Sequence, residues 1–359
     1  MTPDTDPVLL WCVKVPVQQT QTMKQQLLSL GLFLKDYKLI KEQSFVFLPI
    51  TLPTQPPADW ILQERLFEPY ERPQSYHDSL KLILPSELHQ FIPSSFDRLG
   101  DCILVKLDPA LDSFKEQVGK TLKEQFSVRS VFTKGSDVES EFRTIDWQCI
   151  AGEDNPVVLH AMHGLVWKVN IREVYFNTRL SNEYLRIAHL VHDQDIIIDM
   201  FAGIGPFALL CAHTKQVQVY ALDINPTAIE LLKDNITRNQ KLLIGTIMSA
   251  CGDSRELIKD LPQANSIIMN LPGYASEFLE LTIPHILTGG TIFLHQFVLL
   301  SKEEKKQPLT KQTNELYDQL NNITHKLKLS NYSWEITYNI LRDVSPSKVH
   351  VVWDITRTI

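Results

Sequence analysis

The residues best suited to chemistry lie in the C-terminal half of the chain, on a glycine turn, three acids and a proline loop. The stretch IIIDMFAGIGPFALL (196–210) reads as a buried strand ending on Asp199, a turn through Gly203 and Gly205, and then a helix. Glycines at such a turn let the backbone come close to a ligand, because no Cβ intrudes. Asp223 closes QVYALD, twenty residues after Gly203. A carboxylate at that place can accept both hydroxyls of an adenosine ribose. Asp253 follows in CGD, where it can take an adenine amino group. NLPGY (Asn270 to Tyr274) offers a side-chain amide on a stiff proline turn. Such a loop can hold a flat heterocyclic nitrogen in line with a methyl donor, which is most of what an SN2 transfer needs. No cysteine occupies that loop, which argues against the covalent route used at pyrimidine C5.

Three readings of the glycine turn compete. A dinucleotide needs a pyrophosphate cradle, but position 208 is alanine rather than the third glycine, and Pro206 removes one of the cradling N–H groups. S-adenosylmethionine has no phosphate and carries cationic sulfonium and amino groups, which suit carboxylates such as Asp199. A plain α/β core with turn glycines and surface acids is the third reading. The pattern favours S-adenosylmethionine.

Elements that would position these residues follow from the punctuation. Residues from about 180 onward alternate strands and helices, as expected for a mostly parallel sheet covered on both faces. The expected strands are IIIDMF, QVYALD, IGTIMSACGD, SIIMNLP, GGTIFLHQFVL, YSWEITYNIL and KVHVVWDIT. Pro206 opens one helix, where its missing N–H costs nothing. Asn225 caps another opened by Pro226, with Ile229, Leu232 and Ile236 on its apolar face. Upstream, residues 1 to about 50 read as a small α/β unit and the proline-rich stretch 51–75 as a linker with a short helical turn. A further unit contains the strand DCILVKL, the helix SFKEQVGKTLKEQF, the strand VRSVF and a β-rich close through GLVWKVNI and EVYFN. The expected division is therefore 1–75, 76–178 (α+β) and 179–359.

Composition sets the outer bounds. The 359 residues carry a net charge of −7, which argues against a general nucleic-acid binder and leaves a local basic surface open. No apolar run is long enough to span a membrane, and MTPDTDPVLLW is neither a signal nor a typical transit peptide. Five scattered cysteines without a CxxC pair read as reduced and structural, with no metal site.

With these motifs in hand, the chain resembles the archaeal and eukaryotic tRNA (guanine-37-N1) methyltransferases from about residue 84 to the end. The matching stretches include LPSELHQFIPSSFDRLGDCILVKL, EFRTIDWQCIAGEDN, VYFNTRLSNEYLRIA, DMFAGIGPFALL, YALDINPTAIELLKDNITRN, MNLPGYASEFL and RDVSPSK. The resemblance implies a class I S-adenosylmethionine-dependent methyltransferase fold: α/β, Rossmann-like, with a seven-stranded, mostly parallel sheet and two smaller N-terminal α/β domains. It implies catalytic roles for Arg143, Glu183 and Asn270. Glu183 would take the guanine N1 proton, Arg143 would stabilise charge on O6, and Asn270 would orient the base. The expected cofactor residues are Arg179, Asp199, Phe201, Gly203, Gly205, Asp223, Ile224, Asp253, Asn270 and Pro272. Arg179 lies close enough in sequence to compete for the role of Arg143. Tyr175 and Phe176 are read as core aromatics ahead of stacking residues. The first 75 residues would contact tRNA.

The expected partner is a tRNA with G37, bound by a monomer in the cytosol, with nucleus and mitochondrion as further compartments. A wybutosine-pathway aminocarboxypropyl transferase and a non-catalytic RNA-binding relative are the competing functions.

Overall fold

The computed structural model describes residues 7–53, 55–69, 75–135, 144–329 and 331–359. It forms two compact units, Met1–Gln90 and Phe91–Ile359. The first contains an antiparallel sheet in the order Ile40–Glu42, Phe45–Pro49, Val8–Pro16, Ile61–Phe67. Val13, Val15, Val46 and Leu48 project from the sheet against Leu27 of the helix Thr20–Ser29. Ile61–Phe67 corrects the expectation of a linker. This strand sits at the sheet's edge, so it carries Gln63, Glu64 and Arg65 at half-exposed or exposed positions and lacks the apolar density of a central strand.

In the second unit a four-stranded sheet runs Asp97–Leu99, Cys102–Val105, Ser130–Lys134, Trp147–Gly152, with the helix Lys115–Phe126 packed on it. The site rests on a larger sheet of seven strands: β1 (Ile196–Asp199), β2 (Gln218–Asp223), β3 (Thr246–Cys251), β4 (Ala264–Met269), β5 (Ile286–Leu299), β6 (Trp334–Ser345) and β7 (Lys348–Arg357). Their order is β3-β2-β1-β4-β5-β7-β6; the first five are parallel, and β7 runs antiparallel to both β5 and β6. All seven expected strands are present.

Alternation sorts the sheet's residues into two cores. Ile197, Ile268, Phe293 and Val352 face α1 (Ser181–Leu190), α2 (Pro206–Thr214) and α3 (Pro226–Asn239). Their chain neighbours Ile198, Ile267, Ile292, Leu294, Val351 and Trp353 face α5 (Thr310–Lys326) and the turns before β5; the single-turn α4 (Ser254–Leu257) precedes that segment. Burial on both faces is why these strands read as continuous apolar runs.

Asn225 caps α3 by accepting the Thr227 and Ala228 N–H groups, with Pro226 at the first helical position. Further along α3, the buried Asn235 and Asn239 lie one turn apart and dock a hairpin (Val157–Met162 with Leu165–Asn170). Each amide accepts a backbone N–H and donates to the carbonyl of the same hairpin residue, Lys168 for Asn235 and Val166 for Asn239. The following EVYFN is a loop rather than the expected β-rich close, and it supplies part of the site.

Gly205 is required at the start of α2. Its φ is +92°, and a Cβ there would stand 2.3 Å from Leu232 Cδ1 and 2.5 Å from Leu209 Cδ1. Gly205→Ala is expected to cost about 1–3 kcal/mol, measurable as a lower urea midpoint.

Candidate active site

The strand order reverses between β1 and β4, so their C-terminal ends open a crevice where ligands bind in such sheets. A cavity of about 230 Å³ lies there. Six of the twelve expected catalytic and cofactor residues line it: Phe201, Gly203, Asp223, Ile224, Asp253 and Asn270.

Asp223 ends β2 and holds the glycine turn. Its Oδ2 accepts the Gly203 N–H at 2.7 Å, and Oδ1 accepts the Asn225 N–H at 2.9 Å. Burial raises its pKa, against the pull of the Asn225, Gly203 and Ile224 amides. Gly203 has φ +55°, and a Cβ would meet nothing nearer than 3.8 Å, so this glycine serves the backbone turn rather than relieving a clash.

Asp199 is fully buried and not on the cavity wall. Neither oxygen has a hydrogen-bond partner among the described residues. Burial, reinforced by the Asp223 charge, raises its pKa to about 8; the nearby Phe201 amide, outside hydrogen-bond geometry, acts in the opposite direction. An orphaned carboxyl beside the glycine turn fits a cationic ligand better than a phosphate. Because its pKa in the fold lies above the unfolded value of about 3.9, unfolding releases a proton between those limits. This group's contribution therefore falls as pH rises from about 4 to about 8. Asp199→Asn removes that slope, so the melting-temperature difference from wild type should shift in the variant's favour across this interval.

Asp253 lines the cavity and is paired with Arg255. Its carboxylate accepts Arg255 Nε at 2.9 and 3.0 Å and Nη2 at 2.6 Å, which holds its pKa below the usual range. Arg255 itself lines the cavity, with its guanidinium 5.8 Å from the Phe278 ring centre. Phe278 meets Phe201 edge-on at 5.0 Å. That end of the cavity is therefore walled by aromatic and guanidinium faces, and Arg255 had no motif to mark it. Tyr175 and Phe176, read from sequence as core residues, line the cavity as well.

Asn270 follows β4 directly and lines the cavity. Pro272 does not line it; its carbonyl accepts the Phe297 N–H at 3.1 Å, which ties the loop to β5. Arg179 also lies off the wall, paired with Asp97 at 2.8 Å. Arg143 lies outside the described residues.

Glu183 is buried in α1 and off the cavity wall. It faces Arg186 through two hydrogen bonds, at 2.7 and 2.8 Å. Burial pushes its pKa up, Arg186 pulls it down, and Asp354 pushes it up again. Its chain neighbour Tyr184 does line the cavity, with the hydroxyl donated to the Asn177 carbonyl at 2.9 Å.

Comparison with known proteins identifies the family. The TRM5/TYW2 methyltransferase domain profile matches residues 158–323, the TYW2 N-terminal domain 76–155, and the tRNA methyltransferase 5 N-terminal domain 12–56. The tRNA (guanine(37)-N(1))-methyltransferase Trm5b of Pyrococcus abyssi is 35% identical over 286 residues, covering 79% of this chain and 83% of that protein. The crystal structure of Trm5b from Pyrococcus abyssi superposes with a TM-score of 0.75 at 29% identity, covering 98% of this chain and 100% of that one. Methanocaldococcus jannaschii Trm5 in complex with adenosine superposes with a TM-score of 0.61 at 25% identity, covering 97% and 99%. The chain, with its methyltransferase sheet and the glycine turn, Asp223 and Asn270 gathered at one crevice, belongs to the tRNA (guanine(37)-N(1))-methyltransferase family of archaea and eukaryotes.

Proposed function

We propose that this protein transfers the methyl group of S-adenosylmethionine to N1 of guanosine 37 in tRNA. The observation that carries the reading is the single cavity shared by the Gly203 turn, Asp223 and Asn270, in a chain of this family. Asp223 accepts the ribose hydroxyls, the Phe201, Phe278 and Arg255 faces enclose the adenine, and Asn270 orients the base. Asp199 favours the cationic end of the cofactor. Gly205 and Pro272 hold the turn and the loop from behind, and Arg179 acts from outside the wall.

N1 of guanine carries a proton and is not nucleophilic until a base removes it. Glu183, buried and off the wall in the free protein, is that base once bound tRNA brings N1 to it, and Arg143 stabilises the negative charge that develops on O6. The guanine must leave the stack to be reached, so the anticodon loop is bound in a splayed form. Affinity for tRNA therefore falls with added salt as phosphate contacts are screened.

The nature of the transferred group is tested by mass analysis of the modified nucleoside after reaction with unlabelled cofactor. A single added methyl supports the reading. An added carboxylate-bearing group would instead identify an aminocarboxypropyl transferase using the same cofactor.

A further inference from the structure

A buried polar cluster lies behind the cavity wall, where α1 crosses β5 and β7. Arg186 is shared by two carboxylates: it binds Glu183 at 2.7 and 2.8 Å and Asp354 of β7 at 2.6 and 2.9 Å. One guanidinium facing two carboxylates leaves one surplus negative charge, in a place where the Glu183 side chain is 1% exposed and that of Asp354 14%. On the β5 side, Nε2 of the fully buried His295 stands 4.0 Å from Glu183 Oε1 and has no hydrogen-bond partner among the described residues. The other ring nitrogen of His295 meets Nε2 of His350 at 3.1 Å. His350 lies opposite Arg342 of β6, the arginine of the RDVSPSK motif. Phe207, Phe293 and Phe297 pack apolar rings against His295, Arg186 and His350 respectively.

A base bound bidentately by arginine is ordinarily a poor one, since protonating it strands the cation. Here the surplus charge removes that penalty, because Arg186 keeps Asp354 when Glu183 becomes neutral. A newly formed carboxyl O–H in a dry site must also find an acceptor. In the tautomer with Nδ1–H of His295 donated to His350, Nε2 of His295 is bare and His350 carries its own proton on Nδ1. Burial, the His350 ring and Arg186 all keep His295 uncharged, so it is free to accept.

We propose that Asp354 and His295 are positioning residues that make Glu183 competent to take up one proton. Asp354 keeps Arg186 paired, and His295 Nε2 receives the Glu183 O–H. The inference rests on the reading of Glu183 as acceptor of the guanine N1 proton. In that step the S–CH3 bond breaks with its electron pair left on sulfur, the N1–CH3 bond forms, and the N1 proton goes to Glu183. The positive charge lost at sulfur matches the negative charge lost at Glu183, so the site's net charge is unchanged.

The test is single-turnover methylation of tRNA against pH with the full chain, for wild type, Glu183→Gln, Asp354→Asn, His295→Leu and His295→Gln. Asp354→Asn removes the like charge that, after burial, raises the Glu183 pKa. Its rate should fall about tenfold, with the acid limb of the profile moved to lower pH. His295→Leu should also slow transfer. His295→Gln, whose amide oxygen can stand in for Nε2, should recover most of the rate. Cofactor affinity by calorimetry should hold in all of these, because none of these side chains lines the cavity. Unmoved pH profiles in Asp354→Asn and no difference between the two His295 variants, with Glu183→Gln impaired, would overturn the inference and leave the base in place. A full rate in Glu183→Gln would remove the base reading and this inference with it.

Discussion

Glu183→Gln is expected to slow the methyl-transfer step by about 100- to 10,000-fold, the usual contribution of a positioned base. The replacement is nearly isosteric; its amide oxygen keeps one of the two Arg186 hydrogen bonds, and its NH2 faces the other donor. Arg186 keeps Asp354, so no buried cation is left unpaired and the fold should persist. The effect should therefore fall on the rate constant at saturating cofactor and tRNA, with both affinities within a few-fold of wild type. The pH profile supplies a second check. Only the ionised carboxylate accepts the proton, and burial followed by the Asp354 charge pushes the Glu183 pKa up against Arg186. The wild-type rate should therefore climb with pH through a limb above the ordinary carboxylate range, and the glutamine variant should lack that limb. An undiminished single-turnover rate in Glu183→Gln would remove this residue from the chemistry.

Asp223→Ala should act on binding instead. The carboxylate would accept two ribose hydroxyls, and hydrogen bonds to a charged group contribute about 1.5–3 kcal/mol each. It also anchors the glycine turn through the Gly203 N–H at 2.7 Å. A loss of about 100-fold or more in cofactor affinity follows, read by calorimetry. Asp223→Asn should be nearly as damaging. One side of the amide would point NH2 at a backbone N–H that now meets oxygen. Equal affinity in wild type and Asp223→Ala would refute the ribose role.

The sheet was legible in the sequence because its strands are buried on both faces, so IIID, QVYALD and SIIM stand out as apolar runs between turn residues. Asn225 and Pro226 were legible because capping is a local event within a few residues. The strand Ile61–Phe67 was not, since an edge strand tolerates charge and this one follows a proline-rich stretch. The loop EVYFN carries β-prone residues, yet its aromatics are held by packing around the cavity rather than by strand pairing.

Legibility at the site divides the same way. Gly203, Asp223 and Asn270 end or follow strands, so spacing alone placed them at one crevice. The partners that decide what each acid can do were hidden. Arg255 takes Asp253 through the geometry of one helical turn, and Asp354 reaches Arg186 from 168 residues away. No spacing rule connects α1 to β7 before the sheet order is known.

The most direct test of the central claim uses labelled S-adenosylmethionine and two transcripts of one tRNA that differ only in having G or A at position 37. Label is expected on the G37 transcript alone, recovered after digestion as 1-methylguanosine. Equal labelling of both transcripts, or label recovered at another position or atom, would contradict it.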